Sequence, residues 1–259
     1  MRFIATGVFA FILAGCATSS SLSPPASPPM EERGVDSTPA APAVGNDASQ
    51  GKNTSSSPLL PSGFFADGGD TFTAWRCTPA QDLITAFPEN RLRLWSGQGY
   101  FELDSAVVAS GARYVKNDLS FWNKGTIALV ESDNGRLECQ QDVERKTWGR
   151  RQHPDTIFYA RGNEPGWALR LDRKTSRLSW VTDYGKRTLI LPYKLGRVVN
   201  GQHASMTLIS LDAAQPLTVE LEARACFDTA SGKPFPVRVT ITSDEQQQLG
   251  CGQGIEKHP

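Results

Sequence analysis

Arg91-Leu92-Arg93-Leu94-Trp95 alternates charged and apolar side chains with a period of two. Successive strand residues face opposite sides of a sheet, so the run reads as a β-strand with one face turned to a core. Working outward, parts of Tyr100 to Asp104 and of Arg136 to Gln140 alternate in the same way, and Asp133-Asn134-Gly135 carries the Asn-Gly pair of a tight hairpin. Phe72 to Gln141 therefore reads as short antiparallel strands punctuated by turns, in a small barrel or sandwich. From Asp142 onward the pattern continues, with strands expected at Thr156–Ala160, Trp167–Leu171, Leu178–Val181, Met206–Leu211, Leu217–Ala223 and Pro236–Thr242. The fold class expected is all-β: two small antiparallel β domains, the second a barrel or a sandwich. Twenty-three glycines and 17 prolines in 259 residues agree with a chain rich in turns.

The N-terminus is of another kind. Met1-Arg2 followed by a mostly apolar run from Phe3 to Leu13 is too short to span a bilayer and reads as a signal peptide over residues 1–15. Leu13-Ala14-Gly15-Cys16 resembles the lipobox of bacterial lipoproteins, which implies acylation of Cys16, a membrane anchor through that lipid and, with Ala17 next, the outer membrane facing the periplasm. Residues 17–63 contain 11 Ser, 8 Pro, 6 Ala, 4 Gly and 3 Thr and no aromatic residue. Such a segment buries too little apolar surface to offset the entropy of ordering, so 16–63 is expected to be a disordered tether. The expected domains are 64–141 and 142–259.

Apart from Cys16, four cysteines remain, an even number in a chain read as exported to an oxidising compartment. Three connectivities are possible. The sequential pairing, Cys77 with Cys139 and Cys226 with Cys251, is expected because each bridge then closes a loop within one domain.

Charge excludes several functions. Twenty-seven basic and 27 acidic residues cancel, which argues against a nucleic-acid binder working by bulk charge. The first β region has 7 basic and 8 acidic residues and the second 17 and 13, a mild positive excess typical of a solvated face. There is no CxxC, HExxH, GxSxG or GxxxxGK motif, so no metal, no cofactor and no catalytic triad are expected.

Ser110-Gly111-Ala112-Arg113-Tyr114 and Asn123-Lys124-Gly125 each set a short polar or cationic residue beside a glycine, the chemistry of a projecting turn. On composition alone they are ordinary hairpin turns. Taken in order, Cys77, alternating strands, Ser110-Gly111-x-x-Tyr114, Trp122, Lys124-Gly125, Ala128-Leu129 and Cys139 closely resemble the membrane-bound inhibitor of c-type lysozyme (MliC) family over about residues 72–141. The resemblance implies a small β-barrel with Cys77 joined to Cys139 and a c-type lysozyme partner. It further implies that Ser110 and Lys124 enter the lysozyme cleft, with Gly111 and Gly125 shaping the loops and Tyr114 supporting the first. Thr126-Ile127-Ala128 is more apolar than its counterpart in many relatives.

Tyr114, Trp95 and Trp122 are also candidates for a glycan-stacking face, although aromatics on strands are more often core. In the second region, Gly162-Asn163-Glu164-Pro165-Gly166-Trp167, Cys226-Phe227-Asp228 and Gly250-Cys251-Gly252 resemble a functionally uncharacterised bacterial envelope lipoprotein domain. Asn163, Glu164, Trp167 and Asp228 are its candidate site, with Glu164 the candidate acid or base, against the simpler reading of Asn163-Glu164-Pro165 as a turn. The readings that follow are a non-enzymatic lysozyme inhibitor, a module that holds peptidoglycan or another envelope component, and an envelope enzyme using Glu164 or Asp228.

Overall fold

The computed structural model describes residues 58–244 and 246–257. The expected signal peptide, the lipidation site Cys16 and the tether as far as residue 57 lie outside the described residues.

Eight strands come first: β1 (Thr71–Thr78), β2 (Asp82–Ala86), β3 (Arg91–Ser96), β4 (Gly99–Ala106), β5 (Ala112–Lys116), β6 (Leu119–Lys124), β7 (Ile127–Ser132) and β8 (Gly135–Lys146). Each pairs antiparallel with the next and β8 returns to β1, which closes a barrel without a free edge. Cys77 and Cys139 sit opposite each other in that closing pair and are joined. A second closed barrel follows: β9 (Thr156–Asn163), β10 (Gly166–Asp172), β11 (Arg177–Thr182), β12 (Arg187–Val199), β13 (Ser205–Ser210), β14 (Leu217–Phe227), β15 (Pro234–Ser243) and β16 (Gln246–Gly254). Its disulfide joins Cys226 and Cys251. The all-β class, the two domains with one bridge each and the sequential pairing are as expected, and the second domain is a barrel.

The expected boundary between 141 and 142 falls inside β8. The register against β1 shifts there, with Thr73 opposite Glu144 but Trp75 opposite Gln141. A bulge at this point interrupts the period-two pattern and imitates a strand end, although pairing continues to Thr71 opposite Lys146. The six strands expected in the second region all form, and most run longer than expected.

In β3, Leu92 and Leu94 join Trp75, Leu83, Leu103 and Phe121 inside the first barrel. The other face of the strand is not turned to water: Arg93 is 3% and Trp95 0% exposed. Phe72, Ile84, Ala86, Trp95 and Tyr100 from the outside of β1–β4 merge into one cluster with the core of the second barrel. That contact is large and hydrophobic, at about 1.5–3 kcal/mol for each fully buried large side chain, so the barrels form one body instead of two hinged domains.

A strap of chain before β1 completes this core. Phe64 is fully buried and its ring lies 5.9 Å from that of Phe158 in β9. The Trp95 indole N–H donates to the Gly63 carbonyl at 2.7 Å, and Arg93 donates to the carbonyls of Ser62 (2.7 Å) and Phe65 (3.1 Å). Ordered packing thus begins before residue 64, through the carbonyls of Ser62 and Gly63 and the partly buried Leu60 side chain. At the other terminus, the Glu256 carboxylate accepts from the N–H groups of Ala66 (2.7 Å) and Asp67 (3.0 Å). Arg145, at the end of β8, lies with its guanidinium 3.8 Å from the centre of the Phe235 ring and donates to Pro234 O at 2.7 Å, tying β8 to β15.

Candidate functional site

Antiparallel order alone brings the two singled-out turns together. The β4–β5 loop (107–111) and the β6–β7 turn (125–126) leave the same end of the first barrel, because β5 pairs with β6 through Ala112 opposite Asn123. Ser110, Gly111, Lys124 and Gly125 are all exposed there. Gly111 (φ 73°) and Gly125 (φ 61°) occupy the left-handed region that glycine enters without strain. At Gly111 space matters as well, since a Cβ would run into the Asn123 carbonyl. The Trp122 indole N–H donates to Ser110 O at 3.0 Å, so the loop bearing Ser110 is tied to the strand that ends in Lys124. Among the described residues the Ser110 hydroxyl and the Lys124 ammonium have no hydrogen-bond or ion-pair partner. Val107 is fully exposed and Ile127 half exposed beside them.

Tyr114 stands on the other face of β5, opposite Phe121 and half-buried, with its ring 5.8 Å from that of Phe87. Burial pushes its hydroxyl above the ordinary tyrosine range. Its ring packs with the core of the first barrel. Trp95, Tyr114 and Trp122 do not share a face: Trp95 packs between the barrels, Tyr114 against the barrel interior and Trp122 on the exposed side of β6. The tie from Trp122 to Ser110 was invisible to sequence reading, since a 12-residue separation carries no contact signal.

The second group of candidates divides. Asn163 and Asp228 line one cavity of about 370 Å³, together with Arg161, Thr229, Arg238 and, from the first barrel, Asp82. The Asn163 side-chain N–H donates to Thr229 Oγ1 at 3.0 Å. The Asp228 carboxylate accepts from the Ser231 N–H (2.8 Å) and hydroxyl (2.7 Å) and lies 2.9 Å from Arg161 Nε. Burial by itself would raise its pKa, but the two Ser231 bonds, Arg161 and Asn163 outweigh it and hold the group below the usual carboxylate range. Glu164 is exposed in the β9–β10 turn and does not line the cavity, and Trp167 is buried in the second barrel.

No curated protein sequence matches the chain. Residues 75–138, which run from β1 into β8 and hold both loops, match the family model described as the membrane-bound lysozyme-inhibitor of c-type lysozyme.

Proposed function

We propose that the protein binds c-type lysozyme and blocks its cleft with the loops bearing Ser110 and Lys124, from a lipid anchor at Cys16 on the periplasmic side of the outer membrane. The observation that carries this reading is the pair of exposed polar side chains, unpartnered among the described residues, at one end of the first barrel, within the segment that matches the inhibitor family. Lysozyme cuts glycan between a protonated acid and an ionised carboxylate. A hydroxyl can donate to one and accept from the other, and an ammonium gains attraction for a carboxylate as water leaves the contact. The action is occlusion: glycan cannot reach the carboxylates, and no bond is made or broken.

The test is hydrolysis of a cell-wall suspension by c-type lysozyme, titrated with the full chain carrying both disulfides and with its Ser110→Ala/Lys124→Ala double variant. Stoichiometric inhibition by the first and its loss in the second are expected. Absence of inhibition by the folded chain overturns the reading, and sedimentation with purified peptidoglycan would then favour a wall-binding module.

A further inference from the structure

The cavity beside the Cys226–Cys251 bridge is not used by the inhibitory loops, and its chemistry is specific. Arg161 of β9, Cys251 of β16 and Arg238 of β15 are register neighbours on three adjacent strands, so the two arginines flank the bridge from either side. At about 4.8 Å between strands, their backbones stand roughly 10 Å apart. Arg161 is held by the buried Asp228, which is itself fixed by Ser231, so its orientation is set before any ligand arrives. The Arg238 guanidinium has no ion pair or hydrogen bond among the described residues, and neither has the carboxylate of Asp82, which lines the same cavity from the start of β2. Ala225, Phe227, Leu249 and the disulfide provide an apolar wall. The volume of about 370 Å³ falls in the range of small-ligand sites, about 300–1,000 Å³.

Two opposite charges that face one cavity without pairing to each other are complementary to a ligand that carries both. We propose that this cavity binds a zwitterionic amino acid or short peptide with free termini, its carboxylate toward Arg238 and Arg161, its ammonium toward Asp82, and an apolar side chain against Phe227 and Leu249. Asn163 and Thr229 offer polar atoms to the ligand backbone. The site does not depend on lysozyme binding, and its test has no lysozyme in it.

The experiment is titration calorimetry of the full chain, both disulfides formed, with three probes: alanyl-leucine, its N-acetyl form, which lacks the ammonium, and its C-terminal amide, which lacks the carboxylate. Saturable binding of alanyl-leucine is expected, with each capped probe weaker by about ten- to a hundredfold, the worth of one charge-assisted contact. Arg238→Gln, which leaves Arg161 in place, should weaken alanyl-leucine toward the level of the amide, and Asp82→Asn should bring it to that of the N-acetyl form. Asp82 is exposed, so its variant remains informative even if Arg238→Gln lowers the melting temperature. Equal binding of all three probes, or no saturable binding of alanyl-leucine, overturns the proposal.

Discussion

The indole N–H of Trp122 donates to the carbonyl oxygen of Ser110 at 3.0 Å across 12 residues of chain, and so ties the β4–β5 loop to the strand that ends in Lys124. Trp122→Phe keeps the ring and removes the donor. Inhibition is expected to weaken by about 0.5–1.5 kcal/mol, roughly two- to tenfold, with the melting temperature nearly unchanged because the bond is exposed. Comparison of inhibition constants and melting curves checks both halves of this expectation.

Gly111→Ala should be the more damaging change. A side chain there combines a positive φ with collision against the Asn123 carbonyl, a backbone atom that cannot swing aside. Strain of about 1–3 kcal/mol is expected, relieved by displacement of the Ser110 loop. The result to look for is strong loss of inhibition with intact circular dichroism, while Gly125→Ala, with open space around its Cβ position, should be milder.

Lys124→Ala and Ser110→Ala should differ in size. Removing one member of a desolvated charge pair costs about 2–5 kcal/mol, because the partner carboxylate is left buried alone. Removing a hydroxyl costs about 0.5–3 kcal/mol, depending on what it strands. Binding measured by calorimetry with inactive lysozyme should rank the variants in that order, and the reverse order would place Lys124 on the rim.

Glu256 makes stability depend on pH. Burial raises its carboxyl pKa, against the opposing pull of the N–H bonds from Asp67 and Ala66. A carboxyl with a higher pKa folded than unfolded holds its proton more tightly in the folded chain. Its contribution is complete below the ordinary value of 4.5 and is lost as pH rises through the folded value. Glu256→Gln keeps an oxygen to accept both N–H bonds and cannot ionise. The melting temperature of the variant relative to wild type should therefore rise between about pH 4.5 and neutrality, as scanning calorimetry would show.

What was legible in the sequence was the local pattern. The alternation of Arg91 to Trp95 marks a real strand, and the order of Ser110, Lys124 and the two cysteines marks the segment that matches the inhibitor family. The partner of the alternating strand's second face was not legible: Arg93 and Trp95 look solvent-directed until the strap and the second barrel are laid over them. Strands β12 and β16 escaped for a different reason. Pro192 and Gly196 interrupt the first, and the second is Gln- and Gly-rich with little intrinsic strand preference. Gly250, Gly252 and Gly254 occur in β16 because Trp167, Phe158 and Phe65 fill the space their side chains would need, a constraint that only the folded neighbours reveal. In the candidate site of the second region, residue type pointed to Asn163 and Asp228. The arginines that give their cavity its character lie in strands without any motif.

The core shared across β1–β4 and β14–β15 also decides how the molecule comes apart. A protease that nicks the connection between Lys146 and Thr156 would not release two working halves, because each would present to water an aromatic wall that the other had covered. Heating should accordingly show a single cooperative transition, and the lysozyme inhibition proposed for the first barrel should be lost when the second barrel is truncated, although no atom of the Ser110 and Lys124 loops has been touched.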